Sequence, residues 1–598
     1  MISNLLLHPG LILILGALVV PFLSGITRKL FVIALPAIGF LCLTTLSSDM
    51  GITIPFAGYE LEIFRIDKLS KAFAYIFTIS SFTAFIYGWY QEKAIEPMSA
   101  LMYVGAAIGV VFAGDLLTLY IFWEVMAVTS TFLILARRTA ASLAAAKRYI
   151  LVHVFGGLLL LAGIILFAGE TGSLAFTRFD VVSLSSWLIL FGFLVNAAAV
   201  PFSSWLPDAY PESTVFGGVV LSAYTSKTAV YTLIRGFPGW DILIVLGCIM
   251  TIYGIIYALL ENDMRRILAY SIVSQVGFMV CAVGVGTPLA LSGAVAHAFC
   301  HILYKSLLWM CAGAVLYRVG KSKCTELGGL YKSMPWTLGL GTIGALAVSA
   351  PLTSGFTSKT MIIAAVESQH MFWTWFTLEL AAAAVFWLAG IKFLYFVFFN
   401  KDQQLKPKEA PKSMLLAMSV LAFLCIIIGL APEKLYNILP HTDVVKSVMP
   451  YTFSDIYVHH FGHVVTQSQL LLFSGLAFFL MLPLLKRTHT ISLDFDWFYR
   501  KGSALVYNGL DKSLNLVNVK VDTLVRLNLI SKLSALSKRV PLTLALAGMN
   551  VVWMLQGVTK SKLATKQCQF EATFENNVFP VGLSAGVVLA VFVLLSLI

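Results

Sequence analysis

Apolar stretches long enough to cross a lipid bilayer recur along almost the whole chain. They begin near Leu5 and continue to about Leu485, and one more follows at 578–598. A helix needs about 17 to 25 apolar residues to cross the hydrocarbon core, and we count about 15 such segments. Only 12% of the residues are charged, against about 25% in soluble domains. The pattern predicts an all-α polytopic membrane protein.

The basic residues indicate the orientation of the chain in the membrane. The formal net charge of +12 does not predict nucleic-acid binding, because the charges lie in short loops between spans and not on one soluble face. Loops of the same parity carry the clusters Arg28/Lys29, Arg137/Arg138, Lys147/Arg148, Arg265/Arg266 and the basic stretch 318–332. Such loops are normally cytoplasmic. We therefore expect a multi-pass protein of the cell membrane with its N-terminus outside.

The sequence gives no sign of a bound cofactor. The eight cysteines are scattered, and no two form a C-x-x-C pair of the kind that binds zinc or an iron–sulfur cluster. No glycine-rich nucleotide loop precedes a helix in a strand-bearing context. We expect no cofactor and no metal ion.

Two predicted helices are interrupted at corresponding places. Pro201 lies in the run 198–204 and Pro351 in the run 348–355, and both runs insert polar residues into an apolar segment. Proline removes a backbone hydrogen bond, which a membrane tolerates only where the freed carbonyls face protein or water. Matching broken helices in two halves are typical of repeat-built transporters with a pathway near the bilayer midplane.

The C-terminal part differs from the rest in its hydrophobic pattern. Leu510, Leu514, Val517, Val521 and Leu524 recur at spacings of four and three, which predicts an amphipathic helix lying in the membrane plane or on a partner subunit. A soluble tail packed on itself is the alternative.

We divide the chain into N-terminal scaffold helices (1–95), a first repeat (96–236), a second repeat (237–400), further membrane helices (401–486), an amphipathic lateral segment (487–577) and a final transmembrane helix (578–598).

Ionisable residues inside the apolar segments require an explanation. A charge at bilayer depth costs about 2.5 to 3.5 kcal/mol even on lenient scales, so such residues usually face a bundle interior and mark ion or proton routes. Glu124 lies in the middle of an apolar helix and, if unpaired, would be protonated. We expect Lys227 to be its partner, because a Glu–Lys pair that approaches and separates can load and release a proton. A static ion pair between two helices is the alternative.

His297, His301 and Lys305 follow one another at intervals of four residues. This spacing places them on one helix face, about 6 Å apart along the axis. Histidine titrates near neutrality, so the row suits proton transfer through intervening water. We do not expect a metal site, because no Glu or Cys joins them at ligand spacing. Hydrogen bonding of either histidine to a backbone carbonyl is the remaining alternative.

Three further ionisable residues lie near helix ends or breaks. Lys359 follows the second break and is expected at the mouth of the far half-channel, unless it snorkels to the surface. Lys392 lies one or two turns from a cytoplasmic end, where it is also able to snorkel. His153 lies near a helix start, where a structural and a proton-transfer role are both compatible with the sequence.

Four motifs together resemble the Mrp-type antiporter family, which is shared with the antiporter-like proton-pumping subunits of respiratory complex I and of membrane-bound hydrogenases. They are 205–212 (WLPDAYPE), 266–271 (RILAYS), His297–Ala298–Phe299 with Lys305, and 354–359 (SGFTSK). The resemblance covers about residues 60–400 and is closest to the D-type subunits of the multisubunit sodium/proton antiporters. The motif 494–499 (DFDWFY) and the lateral segment are more similar to the long subunit of complex I or the largest antiporter subunit.

The resemblance implies two inverted five-helix repeats, each a half-channel, joined by a central hydrophilic axis. It implies that Glu124 tunes the first half-channel and that Lys359 is the terminal lysine. The connecting groups that it implies are Lys227, His297, His301 and Lys305. Asn196 stands where the family usually has a lysine, and asparagine carries no charge. Lys227 or waters held by Asn196 would then replace that lysine, or the first half-channel moves protons differently.

We therefore expect a proton-translocating subunit of a multisubunit sodium/proton antiporter, with other membrane subunits as partners and no enzymatic activity of its own. A first alternative is the proton-pumping subunit of a complex I-like NADH:quinone oxidoreductase or a membrane-bound hydrogenase. A second is a non-conducting membrane scaffold for a partner such as an inorganic-carbon uptake protein.

Overall fold

The computed structural model describes residues 8–47, 50–485 and 493–576, together with 588, 589 and 592. In this part of the chain, 11 helices are long and apolar enough to cross a membrane. Two shorter apolar helices are Pro9–Phe22 and Leu184–Asn196. The chain is thus a mostly helical multi-pass membrane protein, as the sequence predicts. The final span, 578–598, lies almost entirely outside the described residues, so the count of about 15 stays a prediction.

The N-terminal section contains one element that the sequence analysis did not anticipate. Its elements are α1 (Pro9–Val19), α2 (Gly25–Thr45), β1 (Ile52–Phe56), β2 (Tyr59–Phe64) and α3 (Lys68–Tyr87). The two strands form an antiparallel hairpin. Ala57 and Gly58, the two residues between them, have φ values of 49° and 84°, which suits the tight turns of two-residue hairpins.

Seven helices follow before the chain reaches the second group. They are α4 (Ile95–Phe112), α5 (Leu116–Leu135), α6 (Ala140–Thr171), α7 (Leu184–Asn196), α8 (Trp205–Ala209), α9 (Val215–Leu221) and α10 (Thr225–Gly236). Asp115 begins α5 by accepting a hydrogen bond of 2.7 Å from the Thr118 amide, and Thr139 begins α6 through a capping box with Ser142. Both caps satisfy amides that a helix start leaves free.

The second group contains the most deeply buried helices. Its helices are α11 (Asp241–Leu260), α12 (Met264–Val285), α13 (Pro288–Val319), α14 (Pro335–Leu346), α15 (Ser354–Ser368) and α16 (Phe372–Val385). The last of these continues in wider π turns as far as Phe399. The apolar windows of α12 and α13 are 100% and 94% buried. These two helices therefore form the centre around which the others pack.

Both predicted interruptions fall where the structure ends a helix. Pro201 and Pro351 each stand five positions beyond the last residue of a helix, Asn196 in α7 and Leu346 in α14. Each break also contains one non-glycine residue with a positive φ: Ala198 at 56° and Leu352 at 66°. The two breaks therefore place a proline at the same distance from the preceding helix, but the residue with the positive φ precedes the proline in the first break and follows it in the second.

The carbonyl groups that the breaks release find partners inside the protein. At the first break, the Trp205 indole donates a hydrogen bond of 2.9 Å to the carbonyl of Val195. At the second, the Ala350 amide donates one of 2.8 Å to the carbonyl of Leu346. An irregular backbone is tolerated at membrane depth where its carbonyls form hydrogen bonds inside the protein, as these two do.

Four helices complete the first compact unit, which extends to Asp496. They are α17 (Lys412–Leu430), α18 (Glu433–Tyr436), α19 (Thr442–Val448) and α20 (Phe461–Met481). Asp494 is buried in this unit and accepts hydrogen bonds from Tyr253 and, at 2.6 Å, from Tyr270. The start of the motif 494–499 is therefore attached to α11 and α12.

The described part of the second unit, Trp497–Ile598, is helical except for a turn at 556–559. It contains most of α21 (Asp496–Asp522), a π-helical stretch (Thr523–Ile530), α22 (Ser531–Leu555) and α23 (Lys560–Asn576). Trp553 and Phe570 join the last two helices, with ring centroids 6.0 Å apart. The apolar stripe that begins at Leu510 is exposed. Its placement in the membrane plane stays a prediction.

Candidate functional site

Helix α13 carries three ionisable side chains into the most buried part of the protein. His297, His301 and Lys305 are each 0% exposed, and the two imidazole centroids lie 6.1 Å apart. The interval of four residues thus puts all three on one face, as a helix requires. The row lies inside the bundle and does not face lipid.

Neighbouring helices hold the two ends of this row. The Lys305 ammonium donates a hydrogen bond of 2.6 Å to the Ser271 hydroxyl on α12. His297 Nδ1 lies 3.0 Å from the Ser358 hydroxyl on α15. Within the described residues, both ring nitrogens of His301 and Nε2 of His297 have no protein partner. Buried polar atoms are normally paired by protein or by ordered water, so these nitrogens are suited to exchanging protons with water.

The structure places Lys359 at the second helix break. Its ammonium donates a hydrogen bond of 2.8 Å to the Ser349 hydroxyl within the break and lies 5.3 Å from the ring centroid of Phe278. The residue is 3% exposed. Lys359 therefore does not snorkel; the break itself supplies the partner for its charge.

Lys227 is also buried, near the start of α10. It is 0% exposed, and its ammonium donates hydrogen bonds of 2.7 Å to the Ser222 carbonyl and 3.3 Å to the Ser226 hydroxyl. Ser222 directly follows α9, where the helix dipole favours a cation. The charge is therefore stabilised by a helix C-terminus.

The expected pair between Glu124 and Lys227 is not formed. The Glu124 carboxylate lies against Gly157 of α6, at a point where any larger side chain would collide with it, and its Oε1 has no hydrogen-bond partner. None of the ion pairs in the described part of the chain includes Glu124 or Lys227. The physical reason is direction, because Glu124 points from α5 to α6 whereas Lys227 turns toward the end of α9.

Asn196 and His153 are buried on α7 and α6, the two helices that follow α5 in the chain. Asn196 is 0% exposed, and neither atom of its amide group has a partner among the described residues. His153 is 1% exposed and shares its Nδ1 with the Tyr149 carbonyl at 2.9 Å. Its ring packs 4.6 Å from that of Trp205, at the first break. The backbone contact explains His153 as a structural residue without excluding a second role.

Lys392 behaves differently from the expectation of a snorkelling lysine. It is 0% exposed, and its ammonium donates to the carbonyls of Ala258, Leu259 (2.9 Å) and Glu261 (3.3 Å). These carbonyls lie at the C-terminal end of α11, where no further helical turn satisfies them. Snorkelling is therefore wrong for Lys392, which caps a neighbouring helix.

One carboxylate beside the buried row, Glu379, is not among the site residues predicted from the sequence. Glu379, on α16, interacts electrostatically with Lys359, and its buried Oε2 has no hydrogen-bond partner within the described part of the chain. Its sequence signal is the same as that of Glu124, a single acidic residue inside an apolar span. Glu379 is therefore recognisable from the sequence as a candidate site residue.

No metal centre is evident among the residues that the structure describes. No group of three or more His, Cys, Asp or Glu side chains is close enough to hold an ion. The buried histidines of α13 are flanked by lysines and hydroxyls, which do not favour a divalent cation.

Comparison with known proteins identifies a family model that matches part of the chain. The model for the transmembrane segment of NADH:quinone oxidoreductase and Mrp antiporter proteins matches residues 113–386. Hydrogenase-4 component B of Escherichia coli K12 is 28% identical over 442 residues, which cover 64% of this chain and 64% of that protein. The alignment thus spans slightly less than two thirds of that relative.

Two antiporter proteins align over more of the chain. The A-type subunit of the Na⁺/H⁺ antiporter of Alkalihalophilus pseudofirmus is 28% identical over 572 residues, covering 82% of this chain and 70% of that protein. The A1-type subunit of the Na⁺/H⁺ antiporter of Staphylococcus aureus is 28% identical over 589 residues, covering 85% and 72%. These relatives do not decide whether the chain is an A-type or a D-type protein.

Solved structures share the fold. A chain of the archaeal membrane-bound sulfane sulfur reductase has a TM-score of 0.64 and 27% identity, covering 71% of this chain and 76% of that one. A chain of the Mrp complex of Dietzia sp. DQ12-45-1b has a TM-score of 0.67 and 19% identity, covering 75% and 98%. The second likeness concerns the fold alone.

Proposed function

We propose that the chain, whose residues 113–386 match the model for the transmembrane segment of NADH:quinone oxidoreductase and Mrp antiporter proteins, moves protons as a membrane subunit of a multisubunit sodium/proton antiporter. Two of its relatives are sodium/proton antiporter subunits, and its spans and helix breaks suit transport. The observation that carries the proposal is the row of buried basic side chains: Lys227, His301, His297, Lys305 and Lys359.

The members of this basic row interact with one another. His297 and His301 each interact electrostatically with Lys227, Lys305 and Lys359. In a dry interior, like charges repel strongly, so a proton that binds one group lowers the affinity of its neighbours for theirs. Such mutual repulsion favours moving a proton along the row over storing several on it.

A purely structural role does not explain the basic row. In the described part of the chain, none of its five members forms an ion pair with a carboxylate. A buried charge with a purely structural role needs an opposite charge beside it to offset the free-energy cost of removing it from water. Hydroxyls and carbonyls hold the lysines instead, which leaves their protonation free to change.

We place the N-terminus outside and the basic loops in the cytoplasm. Lys29, near the start of α2, lies 3.3 Å from Glu92 in the loop before α4. Arg137 lies 3.1 Å from Glu212, and Arg148 lies 2.7 Å from Asp208. Each contact joins helix ends or loops of the same parity, which supports their assignment to the cytoplasmic side by the positive-inside rule.

Sodium as the coupled ion and other membrane subunits as partners follow from the antiporter relatives and are part of the proposal. The second candidate is a component of a redox-driven complex, which the likenesses to hydrogenase-4 component B and to the sulfane sulfur reductase favour. Copurification with iron–sulfur subunits would support that second candidate. Copurification with membrane subunits alone supports the antiporter.

The test measures sodium-driven collapse of a proton gradient in inverted vesicles that contain the complete complex. Lys227→Ala and Lys359→Ala each remove one member of the basic row, and we expect a loss of about a hundredfold or more, as for a positioned proton-transfer group. Lys71→Ala is the matched control, because Lys71 donates a hydrogen bond to the Leu46 carbonyl away from the row. Normal transport in both test variants would contradict the proposal and favour a non-conducting scaffold.

A further inference from the structure

Arg265 is a buried arginine that the proposed transport does not use. It stands in the first turn of α12 and is 1% exposed, although its charge predicts a place in a cytoplasmic loop. None of the ion pairs in the described part of the chain includes it. A buried cation without an opposite charge needs hydrogen bonds to offset the loss of water. The acceptors of those bonds therefore show what Arg265 holds.

The Arg265 guanidinium holds the segment that precedes α9. One terminal nitrogen, Nη1, donates hydrogen bonds of 2.9 Å to the carbonyls of Pro211 and Ser213. The other, Nη2, donates to the Thr214 carbonyl and the Ser213 hydroxyl at 3.0 Å, and to the Tyr210 carbonyl at 3.3 Å. We call this segment, from Tyr210 to Thr214, the anchor segment. Its oxygen atoms converge on a single side chain.

The guanidinium also contacts two helices. A β-carbon at Gly218 in the middle of α9 would collide with Nη2 of Arg265, so only glycine permits this close approach. The guanidinium carbon lies 5.2 Å from the ring centroid of Trp309 on α13, within the range of a cation–π contact. Trp309 stands four positions after Lys305, on the same helix face. Arg265 thus lies where α9 of the first helical group meets α12 and α13 of the second.

An unbroken chain of hydrogen bonds leads from Arg265 to Lys227. The Thr214 carbonyl accepts one from Arg265 and one from the Gly218 amide, both of 3.0 Å. The Gly218 carbonyl accepts one of 3.2 Å from the Ser222 amide. The Ser222 carbonyl accepts one of 2.7 Å from the Lys227 ammonium. The guanidinium and the ammonium are therefore connected through the backbone of one short helix.

The shortness of α9 explains why it needs an external support. It has only seven residues, whereas isolated helices below about 12–15 residues are marginal. The Thr214 hydroxyl caps its start by accepting a hydrogen bond of 2.8 Å from the Gly217 amide. Arg265 restrains the carbonyl of the same threonine. The two contacts fix the start of α9, and the position of its last carbonyls follows from helix geometry.

We propose that Arg265 is a positioning residue for Lys227, because it fixes the start of α9 so that the carbonyl at the end of α9 holds the ammonium. Arg265 itself carries no proton along the pathway, since arginine stays protonated in proteins. It acts through the hydrogen bond between Ser222 and Lys227, which favours the charged form of the lysine. The inference rests on the proposed proton transport and specifies how the lysine of the first helical group is held.

Three variants test this role in the complete complex. Arg265→Met keeps a long side chain and removes every donor. Arg265→Lys keeps the charge but loses the planar fork that reaches several carbonyls at once. Gly218→Ala adds the β-carbon that collides with the guanidinium. All three therefore disturb the anchor segment without touching Lys227.

Arg318→Met is the matched control. Arg318 also donates a hydrogen bond to a backbone carbonyl, that of Glu409 at 2.9 Å, and its guanidinium lies 5.5 Å from the ring centroid of Tyr317. Neither partner belongs to α9 or to the anchor segment. The control therefore removes the same kind of contacts at a different place.

The measurements are the initial rate of sodium-driven gradient collapse per assembled complex and its dependence on pH. We expect the rate to fall at least about tenfold in Arg265→Met and Gly218→Ala, as for a misplaced proton-transfer group. Arg265→Lys should lose at least about threefold. In all three, the pH of half-maximal rate should shift by at least about half a unit, because the hydrogen bond to the charged lysine is altered. Arg318→Met should stay within about twofold and keep its pH profile.

The pH profile separates positioning from support of the fold. If Arg265 only stabilises the bundle, its variants lower the melting temperature and the amount of complex, but the assembled complexes keep their pH profile. An unchanged pH profile in Arg265→Lys and Gly218→Ala, with Lys227→Ala inactive, would overturn the positioning role and leave the proposed transport standing. These two variants decide the question if Arg265→Met does not assemble. Normal rates in Lys227→Ala and Lys359→Ala would instead overturn the transport function itself.

Discussion

The Lys359 ammonium donates a hydrogen bond of 2.8 Å to the hydroxyl of Ser349, so the charge at the far end of the buried row is held by the broken helix. Ser349 in turn donates one of 3.2 Å to the Ala382 carbonyl on α16. The first helical group differs, because Lys227 is held by the end of α9 and not by a break. Each of the two helical groups contains a broken helix, but the two groups position their lysines in different ways.

Replacing Ser349 tests this connection. Ser349→Ala leaves a buried ammonium without its acceptor, and an unsatisfied buried partner of this kind costs about 1–3 kcal/mol. We expect slower proton transport and a lower melting temperature of the assembled complex. Ser349→Thr retains the hydroxyl and serves as the control. Equal transport in the alanine and threonine variants would show that the hydrogen bond has no part in the pathway.

Glu379 offers a second test at the same end of the row. Glu379→Gln removes the negative charge that interacts with Lys359 while keeping the shape of the side chain. We expect a drop in transport of about tenfold, because a partner charge near a proton-transfer group sets how readily it releases its proton. Glu60→Gln, on the exposed face of the hairpin, is the control. A rate unchanged from that of the control would remove Glu379 from the pathway.

Asn196 is expected to be dispensable for transport. Both amide atoms are buried without a partner, and replacing such a group by an apolar one of similar size is close to neutral or stabilising. Asn196→Leu should therefore keep the melting temperature of the complex. Because neither amide atom of Asn196 bonds to a member of the basic row among the described residues, the initial rate should stay within about twofold. A rate close to that of Lys227→Ala would place Asn196 on the route.

Replacing Lys392 should lower the stability of the complex without changing its transport rate. Lys392→Met leaves the carbonyls of Ala258, Leu259 and Glu261 without this donor, at a cost of about 1–3 kcal/mol. We expect a lower melting temperature and less assembled complex in the membrane. The transport rate per assembled complex, quantified by immunoblotting, should not change. A normal melting temperature combined with lost transport would reverse this assignment.

The elements that depend on local spacing are predictable from the sequence. The apolar segments predict the helices, and the intervals between His297, His301 and Lys305 predict a single face, since both depend only on helix geometry. The hairpin at 52–64 also has a local signal in its β-branched residues and in Ala57–Gly58. The signal is short, because each strand has only five or six residues.

The partners of the buried charges were not predictable in the same way. Glu124 and Lys227 are more than a hundred residues apart, and which face each helix turns toward its neighbours is decided by the packing of the whole bundle. The capping of α11 by Lys392 and the contact between Tyr103 and Thr225 likewise join distant segments. One sequence specifies the type of these residues but not their neighbours.

Lys305 gives the most direct test of proton conduction, because it lies at the end of the α13 row and interacts with both lysines of the neighbouring groups. The measurement is the initial rate of sodium-driven proton-gradient collapse in inverted vesicles with equal amounts of assembled complex. For Lys305→Ala we predict a rate at least about a hundredfold lower, with Lys71→Ala unchanged. A rate for Lys305→Ala equal to that of Lys71→Ala would contradict proton conduction along the buried row.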